Sequence, residues 1–302
     1  GGTGSASSAT EEWTADVDVG AWATGPATNT PRGHGAGSPA GTSTAALSAG
    51  GFSATAETSN TEIYNGSAWT EVNDLNSLLK DKGSGGTSTS NIAFAGESDP
   101  TGHQGVAESW DGTSWTEVND LNQVRQQPGG VGASNTSALC IGGLAPGDTK
   151  LGNTETWNGS SWSEGNDLNT ARFYPGSTGI VTAALAFGGA MDPGHTANTE
   201  SYNGTSWTEV NNLNTSRNGL RGIGTSTDAL AVFCESPTPK AIIEDWNGVS
   251  WSETSDLNSG RAGGGTSGTT TSGLIFNGSD TTRTALTEEW SGSSVTTKVL
   301  TD

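Results

Sequence analysis

Sulfur is almost missing from this chain, with two cysteines and one methionine in 302 residues. That excludes a disulfide-stapled scaffold. Cys140 and Cys234 fall at different places in the repeats described below, so they read as free, buried thiols. Basic residues are scarce too. Twelve Lys and Arg stand against 32 Asp and Glu, a formal net charge of −20. Such a chain repels a phosphate backbone and an anionic lipid surface, so neither nucleic acid nor membrane is an expected partner. No apolar run approaches the ~18 residues of a membrane span. No long stretch carries the 3.6-residue apolar period of a helix. Hydrophobic residues make up only 30% of the chain, too few for one large conventional core.

Catalytic residue types are equally sparse. There are three Tyr and three His. Tyr64 and Tyr202 occupy a repeated aromatic position and are explained by packing, which leaves Tyr174. His34, His103 and His195 belong to three different repeats, and no two lie at metal-ligand spacing. No Ser-His-Asp grouping and no calcium-loop pattern is present. No cofactor, metal or catalytic residue is therefore expected.

Glycine and tryptophan, by contrast, are abundant, at 46 and 11 residues. They recur in register. "TEIYNGSAWTEVNDLN" from Thr61 returns as "AESWDGTSWTEVNDLN", "TETWNGSSWSEGNDLN" and "TESYNGTSWTEVNNLN". The marker tryptophans Trp22, Trp69, Trp115, Trp162, Trp207 and Trp251 are 47, 46, 47, 45 and 44 residues apart. A period in the forties, rich in glycine and short apolar runs, predicts four-stranded propeller blades.

Each unit has four parts. An Arg-Gly-rich strand comes first, as in "PRGHGAG". A strand of small and apolar residues ending in glycine follows, as in "TAALAFGG". The third carries Glu-x-aromatic, and the fourth begins at the marker Trp. Asn-Gly or Asp-Gly joins the last two, the pair that closes a tight hairpin because both residues tolerate positive φ. Ten residues separate the marker Trp from the next Arg in five units, for example Trp115 and Arg125. The linker "TEVNDLN" therefore has a fixed length, with its Asp and Asn making turns and its Leu plugging the core edge. The second unit departs, with Leu79 in the Arg position and Lys80 beside it.

The order Arg, Gly-Gly, Glu-x-Tyr/Trp, Trp resembles the kelch repeat over essentially the whole chain, and that resemblance implies a β-propeller. The tandem "NGTSWTEVNDLN" wording is also similar to repeat arrays in structural and fibre proteins of marine bacteriophages. The expected fold is all-β, a single kelch-type propeller over 1–302. Its units are 1–29 (partial), 30–76, 77–122, 123–169, 170–214, 215–258 and 259–302. Seven Glu-x-aromatic strands are present, the first at Glu11/Trp13 and the last at Glu288/Trp290. The opening Gly-Gly aligns with the end of a second strand. Seven blades with an incomplete first one is the leading expectation. The alternative is six blades preceded by an N-terminal hairpin.

Two sets of residues stand out. Arg32, Arg125, Arg172, Arg217 and Arg261 are expected to form buried ion pairs with the repeated glutamates Glu62, Glu108, Glu155, Glu200 and Glu244. The competing reading has the arginines lining a funnel for an anionic ligand. The loops after each second strand vary most between units, and a constant scaffold with varied loops is how a binding module is built. Asp99, His103, Lys150, Asp192, His195 and Lys240 in those loops are the candidate binding residues. For the two histidines, a solvated loop residue after an Asp-Pro turn is the bland reading. The functional expectation is a non-enzymatic extracellular module on a virion surface. Its partners would be a host-surface glycan or protein and other virion or fibre subunits. A secreted or cell-surface bacterial adhesion module is the alternative, and a degenerate kelch-type enzyme comes third.

Overall fold

The computed structural model describes residues 20–236 and 241–292. All regular structure in these residues is β. It falls into six small antiparallel sheets. The first comprises Ala46–Phe52, Glu57–Tyr64 and Trp69–Val72. An irregular inner segment completes it through single bridges, Gly33 to Phe52 and Ala36 to Ala49. The second contains Gly83–Gly86, Asn91–Ser98, Gly102–Trp110 and Trp115–Val118. The third runs Gly129–Ser134, Ser137–Ala145, Thr149–Trp157 and Trp162–Glu164. The fourth runs Gly176–Ile180, Ala183–Phe187, Thr199–Tyr202 and Trp207–Val210. The fifth runs Arg221–Gly224, Ala229–Val232, Glu244–Trp246 and Trp251–Glu253. The sixth takes Gly265–Gly268, Ser272–Phe276 and Thr287–Ser291 from the end of the chain. Its fourth strand is Ala21–Gly25, from the other end.

That strand corrects the seven-blade expectation. Trp22 pairs with Trp290 in the register that Trp207 has with Tyr202. It therefore occupies the marker position of the last sheet, where that unit's own sequence offers Val295. The ten-residue link from Trp22 to Arg32 is the ordinary crossover from one blade to the next. It looked like a remnant of an extra blade because the ring joins its last blade to its first. Residues 21–29 belong to that junction and not to a partial first unit. The Glu11/Trp13 pair and Val295 lie outside the described residues.

The inner strands stand side by side around an axis. Thr178 Oγ1 donates to Gly224 O at 2.6 Å, Thr266 Oγ1 to Gly222 O at 3.0 Å and Ser267 Oγ to Thr42 O at 2.9 Å. Crowding there explains the glycines. A Cβ on Gly176 would sit 2.1 Å from Cε2 of Phe187. The apolar material lies between blades. Ile92 and Phe94 of the second sheet pack with Cys140, Trp157 and Trp162 of the third. Phe94 meets Trp162 edge-on at 5.0 Å, and Trp157 packs on Trp162 at 5.4 Å. Five further thin layers repeat this scheme, so the interior holds together without one large core. The molecule is a six-bladed β-propeller.

Candidate functional site

The arginine–glutamate set is built the same way in five blades. Arg32 Nη2 lies 3.1 Å from Glu62 Oε1, Arg125 Nη2 2.5 Å from Glu155 Oε1 and Arg217 Nη2 3.0 Å from Glu244 Oε1. Arg172 pairs with Glu200, and Arg261 with Glu288. All are buried. Burial pushes the Arg32 guanidinium below its usual range, and Glu62 opposes that shift. Each guanidinium holds its glutamate, and Arg125 also donates to Gly142 O at 2.9 Å, while Arg32 Nη1, Arg217 Nε and Arg261 Nη2 are buried with no partner among the described residues.

The second blade differs, as its sequence does. Glu108 has no arginine. It accepts from Asn76 N at 2.7 Å, from Ser77 N at 3.0 Å and from the Ser77 hydroxyl. Lys82, not Lys80, is the buried cation on this side, with Nζ 3.4 Å from Ser77 Oγ. Burial pushes its pKa down to about 8, against the pull of Glu108.

The linker asparagines do more than make turns. Asn122 donates its N–H to Glu155 Oε2 at 2.8 Å, and its side-chain amide to the same oxygen at 2.9 Å and to Trp162 O at 3.1 Å. Asn29, Asn76 and Asn169 repeat all three bonds, fixing each crossover to the blade it enters. The fixed spacing of "NDLN" from the marker Trp was the available signal for this role.

The loop residues separate into pairs. Lys80 Nζ lies 3.1 Å from the exposed Asp99, and Lys150 pairs with the exposed Asp192 of the next blade. His195 Nε2 is 3.1 Å from Ser236 Oγ. His103 Nε2 is buried with no partner among the described residues. His103 and His195 remain in separate blades, and Lys240 lies outside the described residues.

The strongest convergence of chemical groups sits elsewhere, at the axis. In each blade the residue two after the Arg position has positive φ: His34 (62°), Asp81 (60°), Gln127 (56°), Tyr174 (52°), Gly219 (72°) and Gly263 (64°). In this conformation five of the six N–H groups, all but that of Gly263, reach the carbonyl of their counterpart in the preceding blade. The bonds His34 N to Gly263 O, Asp81 N to His34 O, Gln127 N to Asp81 O, Tyr174 N to Gln127 O and Gly219 N to Tyr174 O span 2.6–3.2 Å. The result is a collar around the channel mouth. Glycine is the unstrained choice for such a backbone, and a side chain there costs ~1–2 kcal/mol. Four blades nevertheless place a polar side chain on the collar. The two glycines make room, since a Cβ on Gly263 would lie 2.9 Å from Cε1 of His34, and one on Gly219 2.6 Å from Cβ of Glu235.

Three of these side chains lock together. His34 Nδ1 lies 2.9 Å from Asp81 Oδ1 and 2.9 Å from the Tyr174 hydroxyl, which donates to Asp81. Burial pushes the Asp81 carboxyl up, but the charge and hydrogen bond of His34, with bonds from Tyr174 and Gln127, hold it below the usual range. Burial first, then Asp81, pushes the Tyr174 phenol well above its ordinary value. Arg221 lies near this group; burial lowers its pKa, and Tyr174, Asp81 and Glu235 oppose that. Sequence reasoning left His34 and Tyr174 unexplained, and 140 residues separate them.

The cluster forms one wall of a cavity of about 360 Å³, completed by Gln127, Glu235, Arg283 and Phe52. The Arg283 guanidinium lies 5.3 Å from the Phe52 ring centre, and Lys80 Nζ lies 5.4 Å from it. The cavity opens on the face that carries the loops after the second strands. On the opposite face a hollow of about 440 Å³ is mostly apolar, with Pro39, Ile180 and Ala183 in its wall. Converging polar groups thus mark one mouth of the channel. Among the described residues, no group of three His, Cys, Asp or Glu side chains is placed to hold a metal. No protein-family model and no curated protein matches the chain.

Proposed function

We propose that this chain is a kelch-type propeller acting as a non-enzymatic binding module, whose axial cavity takes one sugar unit of a surface glycan. The observation that carries this reading is the collar. Backbone strain tends to persist where function demands it. Here His34, Asp81, Gln127 and Tyr174 keep strained positions that two other blades fill with glycine. Carboxylate, amide, phenol and guanidinium around a cavity at the small end of the ligand-pocket range suit a polyhydroxylated ring. The variable loops at 97–105 and 190–197 stand on the same face and extend the contact surface.

The particular version of this reading places the module on a virion surface, recognising a host glycan or protein beside other fibre subunits. It rests on the likeness of the tandem "NGTSWTEVNDLN" wording to phage repeat arrays. The test is binding of the purified chain to a glycan array and to bacterial envelope fractions. A variant with Gln127→Gly and Tyr174→Phe is expected to bind at least about tenfold more weakly. Unchanged binding by that variant, or no binding to any glycan, would overturn the axial assignment.

A further inference from the structure

Two buried polar atoms beside the axial cavity have no hydrogen-bond partner among the described residues: Arg283 Nε and Gln127 Oε1. They are two of eleven such atoms among the described residues, and they stand out because both belong to side chains that line the same cavity. One is a donor on a permanent cation and the other an acceptor. A group that satisfies both must bring an acceptor for Arg283 and a hydroxyl or amide donor for Gln127.

The distribution of positive charge points the same way. The five repeat arginines each hold a glutamate, Lys80 and Lys150 hold Asp99 and Asp192, and buried Lys82 faces Glu108. Of the described cations, that leaves Lys82, Arg221 and Arg283 with no carboxylate at ion-pair distance, and the last two are arginines. Both line the axial channel, Arg283 at its mouth and Arg221 further in. A chain of net charge −20 offers cations many carboxylate partners, yet these two arginines stand along the channel without one at ion-pair distance.

We infer that the axial cavity takes a saccharide bearing a carboxylate, a uronic acid or similar acidic sugar, its carboxylate on Arg283 and a ring hydroxyl donating to Gln127 Oε1. This inference rests on the glycan-binding reading above. A planar carboxylate matches the guanidinium fork. A phosphate carries more negative charge towards Asp81, Glu97 and Glu235, which share the cavity. Asp81 is engaged by His34 and Tyr174, so the anion enters on the Arg283 side.

Calorimetric titrations of the whole chain with methyl glucuronide, methyl glucoside and inorganic phosphate test this. The glucuronide should bind at least about tenfold tighter than the glucoside, with a preference that shrinks at high salt. Arg283→Gln should erase that preference and leave the weak glucoside affinity. Arg283→Lys should restore part of it. Gln127→Leu should weaken both sugars alike. An oligoglucuronate binding tighter than the monosaccharide identifies a glycan chain as the source, and equal affinity identifies a free sugar or a chain end. Equal binding of glucoside and glucuronide overturns the acidic-sugar inference while the glycan reading stands. Tighter binding of phosphate also overturns it. If no sugar binds but envelope fractions still do, the axial cavity is not the site and both readings of it fail. Retained Trp fluorescence in each variant separates these outcomes from unfolding.

Discussion

The side-chain amide of Asn258 donates to the carbonyl of Trp22 at 2.8 Å, across 236 positions of sequence. The same bond joins Asn122 to Trp162 and Asn169 to Trp207 within ordinary crossovers. The sixth blade thus treats the N-terminal strand as its own fourth strand. Trp22 packs on Trp290 with ring centres 5.1 Å apart, and its indole N–H donates to Ser255 O at 3.2 Å.

Closure should therefore be a large part of global stability. Trp22→Ala is expected to lower the unfolding free energy by about 3–5 kcal/mol, the range for emptying a buried aromatic site. Urea titration followed by Trp fluorescence measures it. A loss below about 1 kcal/mol would mean the ring does not depend on this strand.

The buried ion pairs should be asymmetric in their response. Glu155→Gln leaves the Arg125 guanidinium buried without a counter-charge and should cost about 3–5 kcal/mol. The double change Arg125→Met with Glu155→Leu should cost clearly less than Glu155→Gln alone, because no charge is stranded. A double-mutant cycle in urea reads both values.

Lys82 should leave a mark on the pH profile. Its folded pKa is pushed down to about 8 by burial, against about 10.4 in an unfolded chain. Between those values the unfolded chain holds more protons, so stability rises with pH across the window. The destabilising effect of the buried charge is complete below pH 8. The buried Cys140 thiol, pushed up to about 12, works in the opposite direction above about pH 8.5 and is present in both chains. The urea midpoint of the native chain should therefore rise relative to that of Lys82→Met between pH 7.5 and 9.5, and parallel profiles of the two chains would contradict the assignment.

The collar should trade stability for binding. Gln127→Gly removes a strained φ of 56° and only one weak bond, from Gln127 Nε2 to Asp81 at 3.4 Å. Relief of ~1–2 kcal/mol offsets the ~0.5–1 kcal/mol that glycine loses in chain entropy. The melting temperature should hold or rise slightly while affinity falls. Tyr174→Gly should lower the melting temperature instead, since it empties a buried site and leaves Asp81 short of a donor.

Much of this architecture was legible in the repeats. The Asn-Gly pairs sit at the hairpins between third and fourth strands, as at Asn203 and Gly204 between Tyr202 and Trp207. Each arginine stands ahead of the inner strand of its blade. The blade count was misread because the Trp22-to-Arg32 spacing is the same whether a blade precedes it in sequence or only in space. The axial site was invisible for a related reason. His34, Asp81 and Tyr174 differ from one another and look like noise at a repeated position.

The period of the marker tryptophans, the hairpin chemistry of Asn-Gly and the fixed linker length are local properties, and local backbone preferences and side-chain volumes suffice to impose a blade. Whether six or seven blades close, and which residues then face one another across the axis, depends on the ring as a whole. Closure is a long-range condition on the summed rotation of all the blades. The meeting of His34 with Tyr174, and of Trp22 with Trp290, exists only once that condition is met.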